Sequence, residues 1–104
     1  MSGTGERTRR LIERLENAEI PVGSQISAAM QSVDISDFTD YDLEPFWYDR
    51  PLVFLETSKG GVKTISAPHM IATMLHHLEL SPGQKVLILG AKGGYIAALI
   101  AHIV

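Results

Sequence analysis

The chain has 104 residues and no cysteine, so disulfide bonds and thiolate chemistry are both excluded. It also lacks an excess of positive charge. Nine Lys and Arg against twelve Asp and Glu leave a net charge of -3, with a pI near 5.7. A general nucleic-acid binder carries a basic patch or stripe, so no nucleic-acid partner is expected. The opening MSGTGERTRR is polar and contains no apolar leader segment. No apolar run approaches the roughly 20 residues needed to cross a bilayer. These absences describe a soluble, cytoplasmic protein without a membrane partner. Internal repeats and low-complexity segments are missing as well.

Metal signatures are absent too. Asp34, Asp37, Asp40, Asp42, Glu44 and Asp49 crowd one stretch, but the D-x-[DN]-x-[DN]-G spacing of a calcium loop does not occur. Capping and turn formation account for these carboxylates. Phe38, Tyr41, Phe46, Trp47 and Tyr48, interleaved with them, are expected to anchor the connector to the core. His69, His76 and His77 form no H-E-x-x-H pair, so they read as structural histidines and no metal site is expected. Arg7, Arg9 and Arg10 alternate with glutamates and read as a solvated helix face.

Periodicity supplies the elements. Glu6 to Glu19 is an amphipathic helix with Leu11, Ile12, Leu15 and Ala18 inward, Glu6/Arg10 and Arg9/Glu13 spaced to pair, and Pro21 as its stop. Val22 to Val33 is a second helix, with Val22, Ile26, Ala29, Met30 and Val33 on one face. Leu52 to Ile65 reads as a hairpin turning at Ser58-Lys59-Gly60-Gly61. Ser66 stands at an N-cap position before Pro68. The helix that follows presents Met70, Ile71, Met74, Leu75 and Leu78, and Ser81-Pro82-Gly83 breaks it. Val86-Leu87-Ile88-Leu89 has no polar alternation and predicts a strand buried on both faces, as in a parallel sheet. Gly90-Ala91-Lys92-Gly93-Gly94 follows, and Tyr95 opens a helix that runs to the last residue. Strand, glycine turn and helix N-terminus together cradle an anionic group such as a phosphate or carboxylate.

The TISAPHM run at 64–70, then L-x-L-S-P-G-Q-K-V-L, then G-x-x-x-G-Y resemble protein-L-isoaspartate O-methyltransferases, as does Tyr48-Asp49-Arg50-Pro51-Leu52 upstream. The resemblance covers the second half of the chain well and the first half loosely. It implies an α/β fold: the N-terminal part of a Rossmann-like S-adenosylmethionine methyltransferase with a helical N-terminal cap. Residues 1–50 would be the cap and its acidic, aromatic connector. Residues 51–104 would hold the hairpin, a helix and the first strand-loop-helix of the methyltransferase domain. The family methylates isoaspartyl carboxyls of damaged proteins, which makes isoaspartyl proteins or peptides the implied substrate. Carried over position by position, Ser66 matches the active-site hydroxyl, and Gly90, Gly93, Gly94 and Tyr95 fall in the cofactor-binding loop.

The chain also departs from the family. Val53 to Lys63 is longer than the usual glycine-containing connection, and Lys63 replaces a glutamine. A strand-ending acidic residue is replaced by Ile88, and a loop glycine by Lys92. The helix ends Ala101-His102-Ile103-Val104 without a glycine or proline stop. These 104 residues are therefore expected to be an N-terminal piece that is inactive alone and self-associates through its apolar strand and last helix. A non-catalytic relative that keeps the fold for protein interaction or assembly is the alternative. A dinucleotide site ranks third, because G-x-G-x-x-G is absent.

Lys92 generates a prediction. A lysine disfavours the left-handed backbone by about 1–2 kcal/mol, and Ile88 cannot accept a hydrogen bond from a ligand. Weak or absent S-adenosylmethionine binding by the full-length protein is expected. Ile88→Glu with Lys92→Gly should tighten it about tenfold, equivalent to roughly 1.4 kcal/mol. Calorimetry that finds micromolar wild-type binding, unchanged by the double substitution, contradicts this reading of the loop.

Overall fold

A computed structural model of the chain describes residues 3–89 and 93–104. Helices α1 (Gly3–Asn17) and α2 (Gly23–Ser32) come first. A 3₁₀ turn at Ile35–Asp37 and the one-turn helix α3 (Glu44–Trp47) follow, then strands β1 (Leu52–Glu56) and β2 (Val62–Ile65). Helices α4 (Pro68–His77) and α5 (Tyr95–Ile103) complete the order. The fold is mixed α/β. Among the described residues no helix is long and apolar enough to cross a membrane.

The first helix buries Leu11, Ile12 and Leu15 as its periodicity implies, whereas Ala18 is exposed beyond its end. The stop is not Pro21. Glu19 adopts φ 64, and the N–H groups of Glu19 and Ile20 donate back to Glu16 and Leu15, a Schellman turn that satisfies the last carbonyls. Arg10 pairs with Glu6 at 3.0 Å, while Arg9 reaches Glu6 rather than Glu13, at 4.0 Å. Two arginines of this face do more than stay solvated. Arg7 grips Glu44 of α3 through two hydrogen bonds of 2.7 and 2.8 Å, and Arg14 donates to the Trp47 carbonyl at 3.1 Å.

Helix α2 buries Ile26, Ala29 and Met30 and is contacted by α1, α4 and α5. Strands β1 and β2 pair antiparallel from Leu52↔Ile65 to Glu56↔Val62, with an irregularity between Val53 and Leu55. Gly60 takes φ 83 at the turn, and the Thr57 and Gly61 backbones close it at 2.8 Å. Leu52 and Ile65 face the core, and the tip is exposed.

Two expectations fail here. Helix α4 buries Pro68, Ile71, Ala72 and Leu75, leaving Met70, Met74 and Leu78 as an exposed stripe. Residues 86–89 form no strand, and Leu87 and Leu89 are 84% and 86% exposed. A strand exists only where a neighbour completes its ladder, and the sheet described here is β1 with β2 alone. The last helix covers its own apolar face by burying Tyr95, Leu99, Ile100 and Ile103.

Tyr95 meets Phe38 and Phe46 edge to face, with centroids 5.7 Å apart in each case. Burial, and secondarily the charge of Asp34, pushes its phenol well above the usual range. The folded state therefore holds its proton where the unfolded chain gives it up. That stability is complete below pH about 10 and is lost as pH rises beyond it. Alkaline unfolding of Tyr95→Phe should be correspondingly less steep above pH about 10, as followed by circular dichroism; parallel wild-type and variant curves would refute the assignment.

Candidate functional site

The site is built around the entry to α4. Local sequence offers Ser66 as its cap, yet the N-cap residue is Ala67 and no side chain of the segment caps the helix. The cap comes from Asp49, twenty residues upstream, whose Oδ1 accepts the His69 backbone N–H at 2.7 Å. Asp49 Oδ2 lies 2.9 Å from His69 Nδ1. One carboxylate thus satisfies a first-turn N–H and orients the imidazole.

Asp49 is delivered by the end of α3. Its N–H donates to Phe46 and that of Arg50 to Pro45, at 3.1 and 2.9 Å, a second Schellman turn with Asp49 in the left-handed position at φ 60. Aspartate tolerates that conformation better than most residues. Other aspartates of the connector also cap. Asp34 accepts from Ser36 N and Oγ at 2.9 and 2.7 Å, and Asp42 accepts from Glu44 N at 3.1 Å. Among the described residues no group of three His, Asp or Glu is arranged to hold a metal. Of the connector's aromatics, Phe46 and Trp47 are buried and Phe38 packs against the core, whereas Tyr41 and Tyr48 are exposed.

Released from capping, the Ser66 hydroxyl makes no hydrogen bond among the described residues. It lines a cavity of about 310 Å³ together with Asp49, Pro51, Thr64, Ala67, His69 and Met70. A larger cavity of about 480 Å³ lies between the start of α2 and the ends of α4 and α5. It is lined by neither Ser66 nor Gly93, Gly94 or Tyr95, so the smaller one is the candidate site.

The two described glycines of the loop, Gly93 and Gly94, lie elsewhere in the fold. Gly93 packs against β1, where a Cβ would sit 3.2 Å from Phe54 Cδ2. Gly94 takes φ 92 as the N-cap residue of α5, with no side-chain cap on that helix. The Tyr95 side chain points into the core, so any contact it makes with a loop-bound ligand must use its backbone. Gly90 and Lys92 lie outside the described residues, and Ile88 is half-buried against the core. None of Gly93, Gly94 and Tyr95 lines the Ser66 cavity. Sequence reasoning missed the Asp49–His69 pair, because the two residues share no helix or spacing rule. His76 and His77 are exposed, as structural surface histidines would be.

The family described as protein-L-isoaspartate(D-aspartate) O-methyltransferase matches residues 6–104. A protein-L-isoaspartate O-methyltransferase of Methanopyrus kandleri is 40% identical over 95 residues, covering 91% of this chain and 40% of that protein. One from Methanothrix thermoacetophila is 42% identical over 99 residues, covering 94% and 43%. Protein-L-isoaspartate O-methyltransferase 1 of Arabidopsis thaliana is 36% identical over 100 residues, covering 94% and 41%. The chain spans about two-fifths of the length of these relatives.

Asp49 yields a stability prediction. Asp49→Ala removes the α4 cap and places alanine at a positive φ, and should cost about 1–2 kcal/mol in urea denaturation. Asp49→Asn keeps an acceptor and the tolerated backbone, so it should cost clearly less. Equal losses in the two variants would show that the cap contributes nothing.

Proposed function

Because the chain belongs to the protein-L-isoaspartate(D-aspartate) O-methyltransferase family, we propose that the full-length protein is a cytoplasmic repair enzyme that methylates isoaspartyl carboxyls of damaged proteins from S-adenosylmethionine. Residues 1–50 then form a helical cap, and residues 51–104 open a Rossmann-like domain. The observation that carries the reading beyond family membership is Ser66, which is spared from capping and lines a cavity. The TISAPHM run that contains it is the segment by which the chain resembles the family most specifically.

S-adenosylmethionine, when bound, supplies a methyl group already activated by its sulfonium. An ionised carboxyl is already a nucleophile, so the chain's own work is to bind and orient. Positioning of this kind is worth roughly 7–11 kcal/mol in favourable cases. Ser66 donates a hydrogen bond to one carboxyl oxygen and leaves the other to attack. Gly94, left-handed at the start of the nine-residue α5, leaves first-turn N–H groups that suit the carboxylate end of the cofactor. Gly93 keeps that backbone free of a side chain, and Gly90 completes the loop in the reading. Ile88 offers no polar contact, so a high cofactor requirement belongs to the proposal.

Transfer of labelled methyl groups to an isoaspartyl peptide, and not to its aspartyl counterpart, is the expected result for the full-length protein at saturating cofactor. Loss of one hydrogen bond to a charged group costs about 1.5–3 kcal/mol, so Ser66→Ala should lower kcat/KM about 10–100-fold. A full-length protein that binds peptide but transfers nothing above a no-protein blank overturns the proposal in favour of a non-catalytic relative.

A further inference from the structure

Asp49 and His69 have a capacity that the fold does not use up. An ionised carboxylate only accepts hydrogen bonds, so the 2.9 Å contact from Asp49 Oδ2 assigns the Nδ1 proton to His69. Nε2 is left over. It is an acceptor when the ring is neutral and a donor when the ring is charged. The His69 side chain is 43% exposed and that of Asp49 26%, and both border the cavity that Ser66 enters. A non-glycine residue held at φ 60 is the sort of outlier that persists where its surroundings demand it. Glycine at 49 would relax the backbone and forfeit both contacts.

We propose that His69, turned by Asp49, is a second contact for the carboxyl group that meets Ser66, so that the cavity selects ligands bearing a free carboxylate on a peptide. The inference rests on the reading of Ser66 as the substrate hydroxyl. A carboxylate ligand needs Nε2–H as donor, which requires the charged ring. The ring then stands between two anions, the ligand and Asp49, and screens one from the other. Asp49 has both oxygens committed, at 2.7 and 2.9 Å, and so does not compete for the donor. Among the residues lining the cavity, Asp49 and His69 are the ionisable ones; β2 and its extension contribute Thr64, Ser66 and Ala67, and α4 adds Met70. A methyl ester carries no charge and accepts more weakly, so the same contact that holds the acid lets the ester go. In this arrangement His69 touches the substrate, and Asp49 is a positioning residue acting through it.

The test uses the full-length protein and a short isoaspartyl peptide, with the same peptide carrying a side-chain amide as control. Ring nitrogen spectra should show His69 Nε2 shifting with the acid peptide and not with the amide. His69→Ala retains the backbone N–H that Asp49 caps, so the helix stays folded, and its affinity should drop about tenfold or more. His69→Gln, which still donates, should recover part of that affinity. Asp49→Asn should weaken binding severalfold. Ring signals that ignore the peptide, or affinity unchanged by His69→Ala, overturn the proposal whatever becomes of methyl transfer. Undiminished transfer by His69→Ala would sink this inference and spare the enzymatic reading, whereas ring response without any transfer would do the reverse.

Discussion

The fold depends on one apolar surface, the face of α2. This ten-residue helix carries no charged side chain, and three other helices close on it. Ala29, fully enclosed, presents only a methyl group at the contact, which lets neighbouring backbones approach closely. The hydrophobic effect that drives this burial has no direction of its own. Direction comes from hydrogen bonds at the periphery: the Arg7–Glu44 fork, the Schellman turns after α1 and α3, and the carboxylate of Asp49. The site beside α4 follows from both contributions. Packing fixes where the helix lies, and Asp49 fixes where it starts and how His69 is turned.

The aromatic cluster plays a similar part at the other end. Phe38 and Phe46 arrive on the connector and Tyr95 on α5, and their edge-to-face contacts draw the start of α5 against the connector. The start of α5 and the connector are thus held on one core, although Gly93, Gly94 and Tyr95 do not line the Ser66 cavity.

Much of this was legible in the residues, and the failures share a cause. The helical periods of α1 and α2 and the Ser-Lys-Gly-Gly turn are local signals, and the structure follows them to within a few residues. Helix α4 has apolar residues around more than half its circumference, so the period shows a helix but not which side turns inward. Ser66 carried every local mark of a cap and lost the role to Asp49, which only the folded chain brings near. Residues 86–89 have strand composition, but composition cannot supply a neighbouring strand. Spacing relates His69 only to other histidines, whereas its partner comes from the connector. Position within a helix is written locally; partnership across the fold is not.

The irregularity in β1 separates the hairpin into two regimes of evolutionary freedom. Beyond it, the tip from Thr57 to Gly61 touches little else and closes on its own backbone bonds, so its length can drift between lineages at small cost. Below it, Leu52 is paired with Ile65, and at the irregularity itself Phe54 lies against Gly93. A one-residue slip at the base would turn each following side chain to the opposite face and carry Ser66 with it. Length added at the tip would therefore leave the base of the hairpin, and the position of Ser66 after β2, undisturbed.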